Sequence, residues 1–368
     1  MYDKEENVSS IVQGCEEDFN PEHCWSARAA VSMVLSSNSN GSSTGSTIGA
    51  NCVRNNLDSG GSMFLKVYSI TILLLDLLSL IVKVIFAILE SIFQTFTGGA
   101  EKSVVNEIVL VTGTGHGIGK ELAHQYASLG AIVVCWDINQ EQNDETVQEL
   151  RKIGCKAYGY KCDVADRDSV LALALKVKEE VGDVTILVNN AGIMPCHPLL
   201  QHNHQEIRKI FDINVLAHFW MLEAFLPSMI QNNRGHVVAL SSMAGVMGLR
   251  NLVPYCASKY AVRGLMDALN EELREDARQI EVKFTSIFPF IVDTGLCKKP
   301  YTRFPFLLNF VPAKKAAKAI ITAQRRNYSE VSIPGILLHL NSVLRLLPLK
   351  AAQHLKDFID SGVDSDTT

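Results

Sequence analysis

The chain has 368 residues, 47% of them apolar, and a formal net charge of −5. That length buries a sizeable core in one large domain or two small ones, and the acidic balance argues against a nucleic-acid partner. Nine cysteines, an odd number with no C-x-x-C pair, argue against a zinc site or a disulfide framework and fit reduced thiols facing the cytosol.

Residues 1–62 are rich in Ser, Asn and Gly, and Ser36 to Thr47 contains almost nothing else. Such a segment cannot bury enough apolar surface to offset its ordering entropy, so it reads as disordered. It is no signal peptide, because the apolar run begins some sixty residues in. The sequons at Asn7, Asn40 and Asn327 then read as chance matches.

Residues 63–96 form the second region. Val67 to Leu89 is an apolar run of 23 residues, enough for a helix across a hydrocarbon layer of about 30 Å. It carries Asp76 and Lys83, and each charge costs about 2.5–3.5 kcal/mol at mid-depth. Ser69, Asp76, Lys83 and Glu90 recur every seven residues, which puts them along one helix face. The stripe fits a helix lying in the interface or a spanning helix with a covered stripe. Either way the segment reads as a membrane anchor.

From Glu107 the pattern is regular. Aliphatic runs at Ile108–Thr112, Ile132–Trp136, Ala157–Cys162, Ile186–Asn189, His236–Leu240 and Val282–Phe288 alternate with longer helical stretches. Near-continuous Val, Ile and Leu is the mark of parallel strands covered on both faces. The alternation predicts an α/β fold, a Rossmann-type doubly wound parallel sheet in a single catalytic domain over 105–332. Residues 333–368 are expected to add an amphipathic, Leu-rich helix with Lys350 and Lys356, then a tail.

The first strand runs into Gly113-Thr-Gly-His-Gly-Ile-Gly119 and then into helical sequence. Gly113, Gly115, Gly117 and Gly119, with His116 and Ile118 between them, suit a backbone turn that approaches a pyrophosphate at a helix N-terminus. Asp137, at the end of the second strand, suits the adenosine ribose hydroxyls and would repel a 2′-phosphate, which predicts NAD. Asp163 and the neighbouring Val164, at the end of the third strand, are candidates for the adenine side. Asn189-Asn190-Ala191-Gly192 ends the fourth strand as the wall behind the cofactor.

Tyr255 and Lys259 stand at i and i+4 of a helical stretch, on one face. A phenol is a poor base at neutral pH, and a neighbouring ammonium favours its ionised form. Lys259 also suits the nicotinamide ribose. Ser242, thirteen residues before Tyr255 at a strand end, suits the substrate oxygen.

Together these motifs resemble the short-chain dehydrogenase/reductase family over residues 105–300. The resemblance implies that Tyr255 is the general acid/base, that Ser242 positions substrate and that Lys259 holds ribose and tunes Tyr255. It implies that Asn214, in Phe211-Asp-Ile-Asn214, holds a relay water. It also implies that Val292 and Thr294, in Pro289-Phe-Ile-Val-Asp-Thr294, meet the nicotinamide carboxamide. Phe290 departs from the glycine usual there. With the anchor, the closer likeness is to a membrane- and lipid-droplet-associated subgroup. That subgroup implies lipophilic alcohols such as retinol, steroids or fatty alcohols, and an endoplasmic reticulum membrane or lipid-droplet location with the catalytic domain facing the cytosol. A homodimer would pair through 205–231 and 253–278.

The alternatives are an NADPH-dependent carbonyl reductase, with a charged His116 beside the phosphate, and a non-enzymatic scaffold that keeps the fold. His197, His202 and His204 lie close in sequence but have no fourth ligand in sight, so they read as a polar loop surface and no metal is expected. An apolar lid is expected over Gly295–Pro312, from Leu296, Tyr301, Phe304, Phe306, Leu307, Leu308, Phe310 and Val311.

Overall fold

The structure is a computed structural model that describes residues 51–305 and 310–366, with side chains throughout except at 51–62, 91–92 and 94–97. It divides into two compact units, Met1–Ile92 and Phe93–Thr368.

Helix α1, Asn51–Thr97, holds the apolar segment. Met63–Glu90 has mean hydropathy 2.7 and is long and apolar enough to cross a membrane. Its side chains are exposed along its whole length. The Ser69 hydroxyl donates to the Leu65 carbonyl and Thr71 to Val67, both at 2.9 Å. Such bonds satisfy a hydroxyl inside the helix, where no water is needed. Disorder was expected through residue 62, but residues 51–62 are helical. Once the apolar turns exist, each further residue adds a hydrogen bond without a new nucleus. Residues 1–50, where the rest of that expectation and the sequons at Asn7 and Asn40 fall, lie outside the described residues.

The second unit is built on a seven-stranded parallel sheet: β1 Ile108–Thr112, β2 Ile132–Asp137, β3 Ala157–Lys161, β4 Ile186–Asn189, β5 His236–Leu240, β6 Lys283–Pro289 and, much later, β10 Glu330–Ile333. The spatial order is β10-β6-β5-β4-β1-β2-β3. The chain winds outward from β1 through β2 to β3, then returns to the other side of β1 as β4. That reversal opens a crevice at the carboxyl ends of β1 and β4. The continuous apolar runs still alternate by face. Val109, Val111, Val133 and Cys135 join one core layer, and Leu110, Val134 and Trp136 join the other.

Helices cover both faces: α2 Gly117–Ser128, α3 Gln140–Lys152, α4 Arg167–Glu180, α5 His204–Phe211, α6 Ala217–Gln231, α7 Val253–Arg274 and α8 Ala313–Arg325. Asn139, Asp166 and Asn203 cap α3, α4 and α5 by accepting first-turn N–H groups, which is why these helices begin where they do. The helix expected over 205–231 is split by a π-helical turn at Asp212–Leu216, and the one expected to reach 278 ends at Arg274. Beyond it, Arg278 folds onto Asp276 in a local ion pair.

The C-terminal region departs most from expectation. The single helix is two, α9 Ile336–Leu346 and α10 Leu349–Ile359, separated at Pro348. Proline cannot donate the next helical bond. The tail is not a free end. β11, Ser361–Val363, pairs antiparallel with β8, Pro300–Thr302, and residues 333–368 belong to the same compact unit as the sheet. The short β7, Val292–Asp293, pairs with β9, Val311–Pro312.

Candidate active site

A cavity of about 330 Å³ opens at the switch point, its lining running from Asp137 to Tyr255. The turn after β1 and the start of α2 form one edge. Gly119 is packed so tightly that an added Cβ would lie 1.9 Å from the Gly113 carbonyl oxygen. Only glycine lets helix and strand approach this closely. Gly113, His116, Gly117 and Ile118 line the cleft, while Gly115 and Gly119 stand behind it. His116 is exposed and precedes α2, its side chain making no cap bond to the helix.

Asp137 is held by both carboxylate oxygens. Oδ2 accepts from Gly115 N–H and Oδ1 from Asn139 N–H, each at 2.8 Å. Asp163 lies two residues past β3, exposed, with Oδ1 accepting from Ala165 N–H at 3.0 Å. Val164 beside it is buried. Asn190 fastens the two sides of the switch point: Nδ2 donates to the Thr112 carbonyl at 2.8 Å and to Gly113 at 3.3 Å. Ala191 and Gly192 continue the wall, and Val292 and Thr294 line the cleft after β6.

The chemistry-bearing groups converge deeper in. Tyr255, Ser242 and Lys259 all line the cavity and are buried. Ser242 lies two residues past β5 and caps a short turn, its Oγ accepting from Ala244 N–H at 3.1 Å and donating to the Pro289 carbonyl at 3.3 Å. Burial pushes the Tyr255 phenol up to about 12, and its hydrogen bond with Ser242 pulls the other way. Lys259 donates from Nζ to the Leu240 carbonyl at 2.7 Å, and its ammonium stands 5.7 Å from the centre of the Tyr255 ring. Burial lowers it to about 8. Desolvation of the phenol therefore decides the direction of its shift, opposite to the lowering that the neighbouring lysine was expected to give.

Asn214 does not line the cavity. It sits on the π-helical turn, fully buried, with Oδ1 accepting from Ile193 N–H and Nδ2 donating to the Ile193 carbonyl, both at 2.9 Å, and to Ser258 Oγ at 3.1 Å. The fully buried His218 follows one turn later, its imidazole lowered to about 3 by burial and then by the Lys259 charge. Only its i+4 spacing from Asn214 could have marked it in sequence.

The structure redraws the substrate side. Of the expected lid, Leu296 lines the cavity, Phe304 packs on Phe358 at 5.3 Å between ring centres, and Val311 packs against a core layer. Phe306, Leu307 and Leu308 lie outside the described residues. The apolar wall comes instead from Met194, Leu249, Leu252, Phe290 and Val363. Nothing in sequence pattern pointed to Val363, five residues from the C-terminus. Of the loop histidines, His204 is exposed as expected, but the His202 side chain is wholly buried and pairs with Glu206 at 2.5 Å, with His197 3.6 Å from the same carboxylate. Among the described residues no group of three or more His, Cys, Asp or Glu could hold a metal ion.

Residues 107–302 match the family model for short chain dehydrogenase. Epidermal retinol dehydrogenase 2 of Mus musculus is 39% identical over 285 residues, 77% of this chain and 92% of that one. 17-beta-Hydroxysteroid dehydrogenase 13 of Homo sapiens is 38% identical over 76% of this chain and 92% of its own. Among solved structures, a short chain dehydrogenase/reductase from Burkholderia phymatum in complex with NAD superposes with TM-score 0.59 and 26% identity, over 65% of this chain and 92% of its own. A metagenomic short-chain oxidoreductase in complex with NADP gives 0.53 and 28%, over 63% and 97%. The cleft at the switch point, the Ser242–Tyr255–Lys259 set and these likenesses lead to one conclusion: the chain belongs to the short-chain dehydrogenase/reductase family and is an oxidoreductase acting on CH–OH groups.

Proposed function

We propose that the protein interconverts a lipophilic alcohol and its carbonyl by hydride transfer with NAD, while α1 holds it on a membrane or lipid-droplet surface. The observation that carries this reading is a single cavity lined at once by Asp137, by Tyr255 and Ser242, and by Met194, Leu249, Leu252, Phe290 and Val363.

The cleft fits a dinucleotide. The Gly113–Gly119 approach leaves backbone rather than side chain at the helix N-terminus, where a pyrophosphate is favoured. Asp137, fixed by two N–H donors, is aimed for ribose hydroxyls and disfavours a 2′-phosphate, which supports NAD over NADP. When bound, NAD supplies the hydride acceptor. This chain's residues handle the proton and the oxygen. Ser242 Oγ, turning from Pro289, holds the alcohol oxygen, and the Tyr255 phenolate takes its proton. The Lys259 ammonium favours that phenolate, and water excluded from the cleft strengthens the attraction. In the reverse direction Tyr255 returns the proton. Asn214, tied to Ile193 and Ser258, is proposed to keep the loop after β4 in place beside Gly192 and to serve the relay water. The apolar wall gains by burying hydrocarbon, at about 25 cal/mol per Å² removed from water, and offers a sugar no partner.

Steroid and retinol dehydrogenases among the relatives support the substrate class. The test is the full-length protein in membranes with NAD, offered retinol, a 17β-hydroxysteroid, a long-chain alcohol, glycerol and a sugar alcohol at matched concentration. We expect turnover of at least one of the first three to exceed the polar pair by tenfold or more. Preference for the polar pair overturns the reading. The same membranes, extracted with carbonate, should retain the protein.

A further inference from the structure

The last residues of the chain are built into the substrate pocket. β11 pairs with β8, so that Gly362 faces Tyr301 and Val363 faces Pro300. Gly362 lies against the Tyr301 ring, where an added Cβ would stand 2.8 Å from the phenol oxygen. Past β11, the Asp364 N–H donates to the Lys299 carbonyl at 3.0 Å, and Lys298 pairs with Asp366 at 3.6 Å. The same six residues tie down two other loops. Asn251 Nδ2 donates to the Val363 carbonyl at 3.1 Å. The Asp366 N–H donates to the Cys196 carbonyl at 2.9 Å, and the Cys196 thiol donates to the Asp364 carbonyl at 3.3 Å. The strap thus bonds to the loop after β4, the loop before α7 and the segment after β7, the three stretches that also line the cleft.

Val363 is where the strap meets the chemistry. It is buried in one apolar cluster with Cys196, Leu252, Cys256 and the catalytic Tyr255, and it lines the cavity. A side chain fixed by backbone bonds on both sides cannot swing away from an oversized substrate without breaking them, so its volume subtracts directly from the space beside Tyr255.

We propose that residues 361–366 form the closing wall of the substrate pocket and that Val363 sets the girth and length of the alcohol accepted. The proposal rests on the lipophilic-alcohol reading of this site. The wall acts on substrate and not on cofactor, since Asp137 and the glycine turn belong to other elements. Val363→Ala should therefore move the preferred chain length or ring bulk upward, and Val363→Trp downward. The change should fall on KM and on the ratio of kcat/KM between large and small alcohols. One or two methylene equivalents of pocket space correspond to about 10- to 200-fold in such ratios. The affinity for NAD should stay within twofold.

The experiment uses the full chain and both variants with a series of straight-chain primary alcohols and a 17β-hydroxysteroid. It reads steady-state turnover and, separately, equilibrium binding of each alcohol to the protein saturated with NAD. A third variant ending at Asp360 is probed by mass spectrometry after brief maleimide treatment, where Cys196 should become reactive while it stays protected in the full-length chain. Opposite shifts in the two Val363 variants support the proposal. If both variants keep the wild-type profile in turnover and in binding, or if Cys196 stays protected after truncation, the wall assignment is overturned. Shifted binding without turnover of any alcohol by the wild type would retain the wall and overturn the proposed function instead.

Discussion

Two lysines sit at opposite ends of the same strand, Lys259 buried and Lys102 half-buried, and they face different surroundings. At the carboxyl end of β5, Lys259 donates to Leu240. At the amino end, Lys102 donates to His236 Nδ1 at 2.8 Å and to Asn327 at 3.0 Å. Burial lowers both to about 8. By that measure alone the two are equal. What differs is the neighbourhood. Lys259 borders a cavity with a phenol, a hydroxyl and a positioned carboxylate. Lys102 borders a second, polar cleft with Glu107, Glu281 and Lys283 but no phenol, and feeds a chain of hydrogen bonds. With Lys102 donating at Nδ1, His236 Nε2 donates to Thr285, and Thr285 donates to the Tyr328 carbonyl. The strands of a doubly wound sheet point their carboxyl ends at the crevice, so the same perturbed group borders the proposed active site at one end and a hydrogen-bonded tie at the other.

The sharpest way to break this comparison is Tyr255→Phe. It removes the proton-transfer group at the catalytic end and should lower kcat by about 10²–10⁴-fold, with NAD still bound. Steady-state rates beside cofactor titration by fluorescence check it, and activity within a few-fold of wild type would remove Tyr255 from the role. Gly119→Ala comes next. The clash with the Gly113 carbonyl is with backbone and cannot relax cheaply, so cofactor affinity should fall at least tenfold or the domain should lose thermal stability, read by titration and by Tm. Asp137→Ala should narrow the preference for NAD over NADP by about 10- to 100-fold in kcat/KM, the equivalent of a few kcal/mol of like-charge contact. Equal use of both cofactors by the unaltered protein defeats that assignment.

The smallest effect on turnover belongs to the other end. Lys102→Gln should leave kcat/KM within about twofold while changing how stability responds to pH. A lysine whose folded pKa is about 8, against an ordinary 10.5, binds fewer protons in the native than in the unfolded state between those values. Its contribution to stability therefore increases as pH rises from about 8 to about 10.5 and is lost again as pH falls through 8. Lys259 adds a rise of the same sign. Removing Lys102 should flatten part of the increase in urea-unfolding midpoint over that window. A large loss of turnover with an unchanged pH slope would reverse the roles assigned to the two ends.

Much of the fold, and the glycine turn and Asp137 proposed to hold the cofactor, was legible in sequence because each signal there is local. The six apolar runs lie within one or two residues of β1 to β6. β10 escaped notice because Glu330–Ile333 is short and carries Glu and Ser; it is a strand because β6 offers it an edge. The glycine turn, Asp137 and the Tyr255–Lys259 spacing each span a few residues, and the geometry of one turn or helix fixes them whatever surrounds them.

Whatever depends on distant segments meeting was decided by the tertiary structure alone. Cys196, Asn251, Pro300 and Val363 are scattered over 168 residues of sequence, yet they close one wall. The direction of the Tyr255 shift is of the same kind. The sequence supplied the neighbouring ammonium, but burial is set by everything packed around the phenol, and burial is the largest cause of its shift. The sequence by itself determined the αβ alternation, the glycine turn and the order of the groups that line the cleft, because backbone periodicity and short spacings carry them. Only the folded chain decided which of two equally perturbed lysines borders the cleft at the switch point, and that a polar tail ends as an apolar wall, because both follow from the three-dimensional packing of residues far apart in the chain.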